Sequence, residues 1–412
     1  MSETTKTEAF LSARLSLHIH IGKPQRGDDF YHLPLTITAP DGSKNIEHVG
    51  LQNANFKVRH HEAWDSYLPL MYITRNGGPL FGTQYSRAVV QADFPLHAAI
   101  AAFFQARASR FGLNIEIASS TFERVYDERT QGDMVLFGGG KDSRLLLGTL
   151  REIGGEPAVI SARGSSYAAD IPQALTYDAS NFAMPARIVP ALMLNPRNVY
   201  HGSGLGEVHL NQPWQQYFDI SANAALLETS RLLQSIGFDI TIHAPQSTLP
   251  YNLVQKILSV RYPELAAGQI SVTPYRASEK NLHVCLLKDY HGIDFSDQST
   301  SEMYASMTTN FVKKSMKQGD EIFGLYRNRE IINREMRTII RRQYADGTSP
   351  LSTKLEPPIE WDEPWIDFIH SYCNPDLSPA LLEIFSIYAE CWDLGMPGLP
   401  AGLAAYADMP SA

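Results

Sequence analysis

The residues best suited to chemistry lie in one short segment, FGGGKDSR, at positions 137–144. Three consecutive glycines lead into Lys141, Asp142 and Ser143, with apolar residues on both sides. Glycines let backbone N–H groups approach a phosphate closely, and a lysine supplies positive charge for its oxygens. A carboxylate beside them can hold Mg²⁺, which prefers oxygen ligands and phosphate partners. The segment therefore predicts a phosphate site with Asp142 as the metal ligand.

This segment requires a strand before it and a helix after it. The sequence predicts a buried strand over 133–137 and a helix over 144–153, with its first turn starting near Asp142, and a second strand over 157–161. Strand, helix and strand with short connections form a βαβ unit, which implies a parallel sheet. The positive end of the helix would then face the bound anion.

The predicted fold class is α/β, with a parallel-sheet core, a small β-rich N-terminal unit and a helical C-terminal extension. The expected domains are 1–125, 126–325 and 326–412. Apolar residues alternate with polar ones over 15–21, which is typical of a half-buried strand. The other expected elements are strands within 13–50 and at 238–243, and helices at 94–111, 222–236, 278–288 and 330–344.

Two common phosphate motifs do not fit the glycine segment. The Walker loop needs a hydroxyl residue where Asp142 stands and a glycine where Val135 stands. The dinucleotide fingerprint needs a third glycine where Ser143 or, in another register, Asp142 stands. The pattern Ser-Gly-Gly-x-Asp-Ser after a strand matches residues 138–143 at every position except the first. A tight turn without a ligand is the alternative, but it leaves the lysine, aspartate and serine unexplained.

The glycine segment resembles the loop of the PP-loop ATP pyrophosphatases, which belong to the adenine nucleotide α-hydrolase group and have a HUP-like parallel core. Within that group it is most similar to the ATP-dependent UDP-N-acetylmuramoyl-L-alanyl-L-glutamate epimerase family. Weaker likenesses lie at 223–233, at 273–279 and at Ile322-Phe323-Gly324, so that the resemblance covers roughly residues 130–330. It implies ATP and Mg²⁺ as cofactors, cleavage of ATP between its α and β phosphates, and transfer of AMP to a substrate oxygen.

The resemblance also implies a role for each residue of the loop. Lys141 would stabilise the charge of the leaving pyrophosphate, and Asp142 would position Mg²⁺. The residues expected to contact the cofactor are Phe137, Gly138, Gly139, Gly140, Ser143 and Arg276. For Arg276, an exposed salt bridge is the alternative.

A second group of candidates lies in the polar and aromatic segment 201–219. It is placed where such folds present substrate groups, beyond the carboxyl ends of the strands. The family likeness implies that an acyl-adenylate forms and acidifies the neighbouring α-hydrogen, which a base then removes to give epimerisation. His201 and Asp219 are the expected bases, and an ordinary surface loop is the alternative.

Three alternatives to an epimerase remain open for this protein. A sulfurtransferase would need a reactive cysteine, whereas the three cysteines of this chain, Cys285, Cys373 and Cys391, are far apart. An amide-forming ligase would capture the adenylate with an amine. A nucleotide-binding protein without turnover could dispense with the metal ligand at Asp142. The epimerase family carries a Cys-x-x-Cys-type cluster before its Ile-Phe-Gly segment, and this chain lacks it, which leaves a different substrate open.

The amino-acid composition of the chain limits the classes of binding partner to be expected. The chain has 412 residues, with 35 basic and 44 acidic side chains, for a net charge of −9. This balance disfavours broad binding to nucleic acid or to an anionic membrane. Scattered cysteines and a polar N-terminus predict a reduced, cytoplasmic protein. The expected partner is a small amino-acid or peptide-like substrate, and a homodimer is left open.

Overall fold

The structure is a computed structural model that describes residues 16–74, 78–80, 85, 87–110, 112–118, 132–162, 171, 173–179, 188–202, 222–248, 251–266, 383–384 and 387–388. The strands are β1 (Ser16–Ile21), β2 (Gln25–Arg26), β3 (Tyr31–Thr38), β4 (Lys44–Leu51), β5 (Arg87–Ala92), β6 (Asn114–Ile117), β7 (Asp133–Leu136), β8 (Ala158–Ala162), β9 (Leu175–Tyr177), β10 (Asn198–His201) and β11 (Thr241–His243). The helices are α1 (Glu62–Thr74), α2 (Ala98–Arg110), α3 (Lys141–Glu152), α4 (Ile188–Met193), α5 (Ala222–Ser235) and α6 (Tyr251–Arg261), with a 3₁₀ turn at Pro245–Thr248. The described chain is therefore of the mixed α/β class.

The N-terminal sheet follows from the alternation in the sequence. Leu17, Ile19 and Ile21 are buried while His18 and His20 are exposed, which confirms the predicted two-residue period in β1. The strand order is β2-β3-β1-β5-β6, and β4 pairs with β3. Strand β3 is antiparallel to its neighbours, whereas β1, β5 and β6 run parallel.

Helix α1 carries aromatic side chains that pack against residues near β11. The rings of Trp64 and Phe238 lie 4.9 Å apart between centroids. The hydroxyls of Tyr67 and Thr229 are 2.8 Å apart and both are buried. These contacts join the N-terminal region to residues much later in the chain.

The N-terminal strands also meet the edge of the second sheet. Gln52, just after β4, exchanges both backbone hydrogen bonds with Asp178, just after β9, at 2.9 and 2.7 Å. The N–H of Asn55 donates to the carbonyl of Thr176, and the side-chain oxygen of Asn55 accepts from the Thr176 N–H at 2.7 Å. The segment after β4 therefore covers part of the open side of β9.

The second sheet has the order β11-β10-β7-β8-β9. Strands β7, β8 and β9 are parallel, which confirms the predicted parallel sheet. The N–H groups of Arg197 and Asn198 approach the carbonyl of Gly132, so β10 begins beside the start of β7. The order reverses between β7 and β10, and ligands of open α/β sheets bind beyond the strand ends at such a reversal. A ligand site is therefore expected at the segments after β7 and β10.

Two element boundaries differ from the predicted ones. Helix α3 begins at Lys141, one residue before the first turn expected near Asp142 and three before the range 144–153, because Gly140 is extended (φ −78°, ψ 175°) and serves as the N-cap. Strand β11 begins at Thr241 rather than 238, because the Phe238 N–H donates to the Leu233 carbonyl and so completes the end of α5. The helices predicted at 94–111 and 222–236 are confirmed as α2 and α5, each slightly shorter.

Two compact units divide the chain. The first comprises Met1–Leu136, Ala158–Val199 and Thr229–Thr241, and the second comprises Phe137–Pro157, Tyr200–Glu228 and Ile242–Ala412. The domain boundaries predicted near 125 and 325 lie outside the described residues and stay predictions. The helices predicted at 278–288 and 330–344 also lie outside them. None of the described helices is long and apolar enough to cross a membrane.

Candidate functional site

The loop from Phe137 to Gly140 connects β7 to α3 and lies in the second unit. Gly139 adopts φ +76°, a conformation that favours glycine. Gly140 is exposed, and a Cβ built on it meets no atom within 4 Å. As the N-cap residue it has no side chain to accept from the first N–H groups of α3. Open space thus lies beside backbone donors at the positive end of a helix, an arrangement suited to an anion.

Lys141 and Asp142 form an ion pair in the first turn of α3. The Lys141 Nζ donates to both carboxylate oxygens of Asp142 at 2.8 Å. The lysine side chain is 4% exposed and the aspartate side chain 25% exposed. The structure thus brings together the two residues predicted to carry charge, with the carboxylate partly open to solvent.

Ser143 is buried and its hydroxyl closes the helix start. The Oγ donates to the carbonyl of Gly140 at 3.1 Å. The proton that was expected to reach a phosphate oxygen is therefore directed to the loop backbone in this structure. Phosphate contact through this side chain would require the hydroxyl to rotate.

Arg144 is a residue of this site that the sequence prediction missed. It is 1% exposed, and its guanidinium lies 5.5 Å from the ring centroid of Phe137. Its Nε donates to the Gly139 carbonyl at 2.9 Å, and its Nη1 donates to the Leu265 carbonyl at 3.3 Å. The ring of Phe137, a predicted cofactor contact, is itself buried beside this guanidinium. A second basic residue three positions after the lysine was the signal available in the sequence.

Gly202, just after β10, is the other residue that the prediction missed. A Cβ built there would lie 2.7 Å from the Asp142 carbonyl carbon and 2.8 Å from the Ser143 nitrogen. The chain after β10 therefore touches the first turn of α3, and only glycine fits without a shift. No strand was predicted at 198–201, so the sequence offered no signal for this contact. His201, one of the two predicted bases, is its neighbour in the chain and is partly exposed. Asp219 and Arg276 lie outside the described residues.

Helix α3 is held against α6 at its other end. Arg261 donates through Nε to Glu152 Oε2 at 2.9 Å, and the Tyr262 hydroxyl donates to the same carboxylate. Hydrogen bonds from Arg261, and then from Tyr262, lower the pKa of Glu152. Gly148 faces the Tyr262 ring, and a Cβ there would lie 2.7 Å from it. These contacts fix the helix whose first turn forms the candidate site.

A buried histidine lies at the end of another strand of the second sheet. His243, at the end of β11, stacks on Tyr200 with ring centroids 5.0 Å apart. Burial lowers the pKa of His243 from 6.5 to about 4, so the imidazole is neutral near pH 7. The unfolded chain binds this proton near pH 6.5 and the folded chain binds it only near pH 4. The stability that depends on the neutral ring is complete above pH 6.5 and is lost as the pH falls to about 4.

We expect His243→Gln to flatten the pH dependence of the free energy of unfolding between pH 6.5 and 4. Wild type should lose roughly 3 kcal/mol more than the variant over this window, because one pKa unit corresponds to about 1.36 kcal/mol. Urea unfolding at several pH values measures this difference. His18→Gln, at an exposed position of β1, is the matched histidine-to-glutamine control. If the free energy of unfolding of His243→Gln kept the wild-type pH dependence, this would contradict the lowered pKa of His243.

The residues of the loop are compatible with one Mg²⁺. Among the described residues, no group of three or more His, Cys, Asp or Glu side chains is placed to hold a metal ion. Mg²⁺ commonly takes one or two protein carboxylates and completes its shell with phosphate oxygens and water. The partly exposed carboxylate of Asp142, beside the open space at Gly140, fits that donor set.

No family model, no curated protein and no solved structure matches this chain. The resemblance to the PP-loop pyrophosphatases therefore stays a prediction based on the loop residues.

Proposed function

We propose that this chain is a PP-loop enzyme that binds ATP and Mg²⁺ at residues 137–143 and transfers AMP to a substrate carboxylate, with release of pyrophosphate. The observation that carries the proposal is the open space over Gly140, which adjoins the start of α3 and the Lys141–Asp142 pair. Backbone donors, a lysine and a carboxylate are the groups that a magnesium–pyrophosphate needs.

Each loop residue has a task in this reaction. A carboxylate oxygen attacks the α-phosphorus, and the bond to the bridging oxygen breaks, so that its electron pair leaves with pyrophosphate. The N–H groups at the start of α3 bind the leaving group, and the Lys141 ammonium stabilises its growing negative charge. Asp142 would hold Mg²⁺, which when bound neutralises phosphate charge. Catalysis consists of positioning and electrostatic stabilisation, and it requires no proton transfer at this step.

The adenylate then supports epimerisation at the carbon next to the activated carbonyl: a base removes the α-proton, a proton returns to the opposite face, and water hydrolyses the adenylate to AMP and the epimerised carboxylate. An ionised carboxylate opposes removal of that α-hydrogen, and the mixed anhydride removes this charge. His201 is the candidate base among the described residues, because it adjoins Gly202 and so lies near the start of α3 along the backbone. Asp219 remains the second candidate base. The substrate class that fits is an amino acid or a short peptide.

The test identifies the products that the protein forms from ATP. The chain is incubated with ATP labelled at the α-phosphorus, Mg²⁺ and a panel of amino acids, dipeptides and muramoyl-peptide nucleotides. AMP and pyrophosphate are expected, with ATP–pyrophosphate exchange when the right carboxylate is present. Appearance of ADP and orthophosphate would overturn the proposal. In deuterated water, epimerisation places deuterium at the α-carbon, whereas ligation or sulfur transfer does not.

A further inference from the structure

The buried guanidinium of Arg144 is tied to the loop by two different contacts. Its Nε donates to the carbonyl of Gly139, and its Cζ lies over the ring of Phe137, 5.5 Å from the ring centroid. A third contact, from Nη1 to the carbonyl of Leu265, reaches just beyond α6. A planar guanidinium with donors in a fixed fork is held in one orientation by such a set, which a flexible ammonium cannot reproduce.

These contacts determine which way one peptide group faces. The peptide between Gly139 and Gly140 is trans, so its carbonyl and its N–H point in opposite directions. Its carbonyl points to the buried Arg144, and the N–H of Gly140 therefore points away from the guanidinium. Gly139 can supply the positive φ of +76° that this orientation needs.

We propose that Arg144 is a positioning residue that orients the Gly139–Gly140 peptide so that the Gly140 N–H serves as a phosphate donor. The inference rests on the proposed function, since it assigns the way in which the ATP site is shaped. Arg144 acts through the loop backbone and does not touch the nucleotide. Without it, the peptide can rotate, and binding must then select one orientation out of several at a cost in affinity.

The test compares three substitutions in the full chain. Arg144→Met keeps an apolar side chain without donors, Arg144→Lys keeps one charged donor, and Arg144→Ala leaves a space. We expect the Kd for MgATP to rise about ten- to hundred-fold in Arg144→Met, the scale for losing a charge-assisted hydrogen bond. Arg144→Lys should fall between this variant and wild type. Arg151→Ala, at an exposed position of the same helix, is the control and should bind as wild type does.

Chemical rescue separates positioning from a purely structural role. Guanidinium chloride at roughly 20 mM, far below the molar concentrations that unfold small proteins, should restore MgATP affinity in Arg144→Ala. It should not do so in Arg144→Met, whose side chain fills the space, and potassium chloride at equal ionic strength should have no effect. Unchanged Kd values in the folded fraction of all three variants would overturn the inference. Failure of wild type to bind MgATP would instead contradict the proposed function.

Discussion

Alanine at position 140 should leave the chain folded and nearly as stable as wild type, while its affinity for MgATP falls about ten- to hundred-fold. The folded chain accommodates the methyl group, because a Cβ on Gly140 meets no atom within 4 Å and the backbone there is extended. Two small effects oppose each other: alanine is a poorer N-cap than glycine, and it restricts the unfolded chain. The free energy of unfolding should therefore change by less than about 1 kcal/mol.

The loss of affinity arises because the methyl group occupies the space assigned to phosphate. Crowding a tight contact with one methyl group costs about 1–3 kcal/mol, which corresponds to the stated range in Kd. Isothermal titration with MgATP measures the affinity, and urea unfolding measures the stability.

Gly154→Ala is a matched control at the other end of α3. A Cβ at Gly154 also meets open space, but φ is +82°, so alanine is strained there. This variant should lose about 1–2 kcal/mol of stability and retain its affinity for MgATP. Wild-type affinity in Gly140→Ala would show that no phosphate lies over this glycine.

Lys141→Met should reduce turnover at least about a hundred-fold, the scale for removing one preorganised donor from a charged transition state. The substitution leaves the fold intact, because methionine fills the buried stem position and the carboxylate left behind on Asp142 is partly exposed. Release of pyrophosphate under saturating substrate measures kcat.

Asp142→Asn is the complementary variant and should also lose turnover, with partial recovery at high Mg²⁺. It leaves the buried lysine without its carboxylate, so some loss of stability accompanies it. Lys57→Met, at an exposed surface position, controls for the loss of one positive charge and should retain full activity. Wild-type kcat in Lys141→Met would refute the role given to this lysine.

Local patterns accounted for much of the fold. The burial of Leu17, Ile19 and Ile21 follows directly from their spacing, because side chains alternate across a strand. The strand before the glycines and the helix after them followed from apolar runs and from the turn between them. The apolar range predicted for α3 began at 144 because leucines mark its apolar face, whereas the cap is set by the backbone of Gly140.

The residues missed at the site depend on contacts between distant parts of the chain. Gly202 is required by the approach of β10 to the first turn of α3, and no property of its own neighbours shows this. The role of Arg144 depends in part on a carbonyl at Leu265. A basic residue in a charged helix start has many possible partners, and only the fold selects among them.

The pairing of Gln52 with Asp178 has a consequence for the expression of fragments. Strand β9 lies at one edge of the second sheet, and the segment after β4 occupies backbone groups there. A fragment that begins after residue 125, at the predicted domain boundary, would remove that segment and leave the edge of β9 free to pair with other molecules. Such a fragment would retain the whole glycine loop and yet tend to self-associate. We therefore expect the segment after β4 to limit self-association of the sheet that carries the loop.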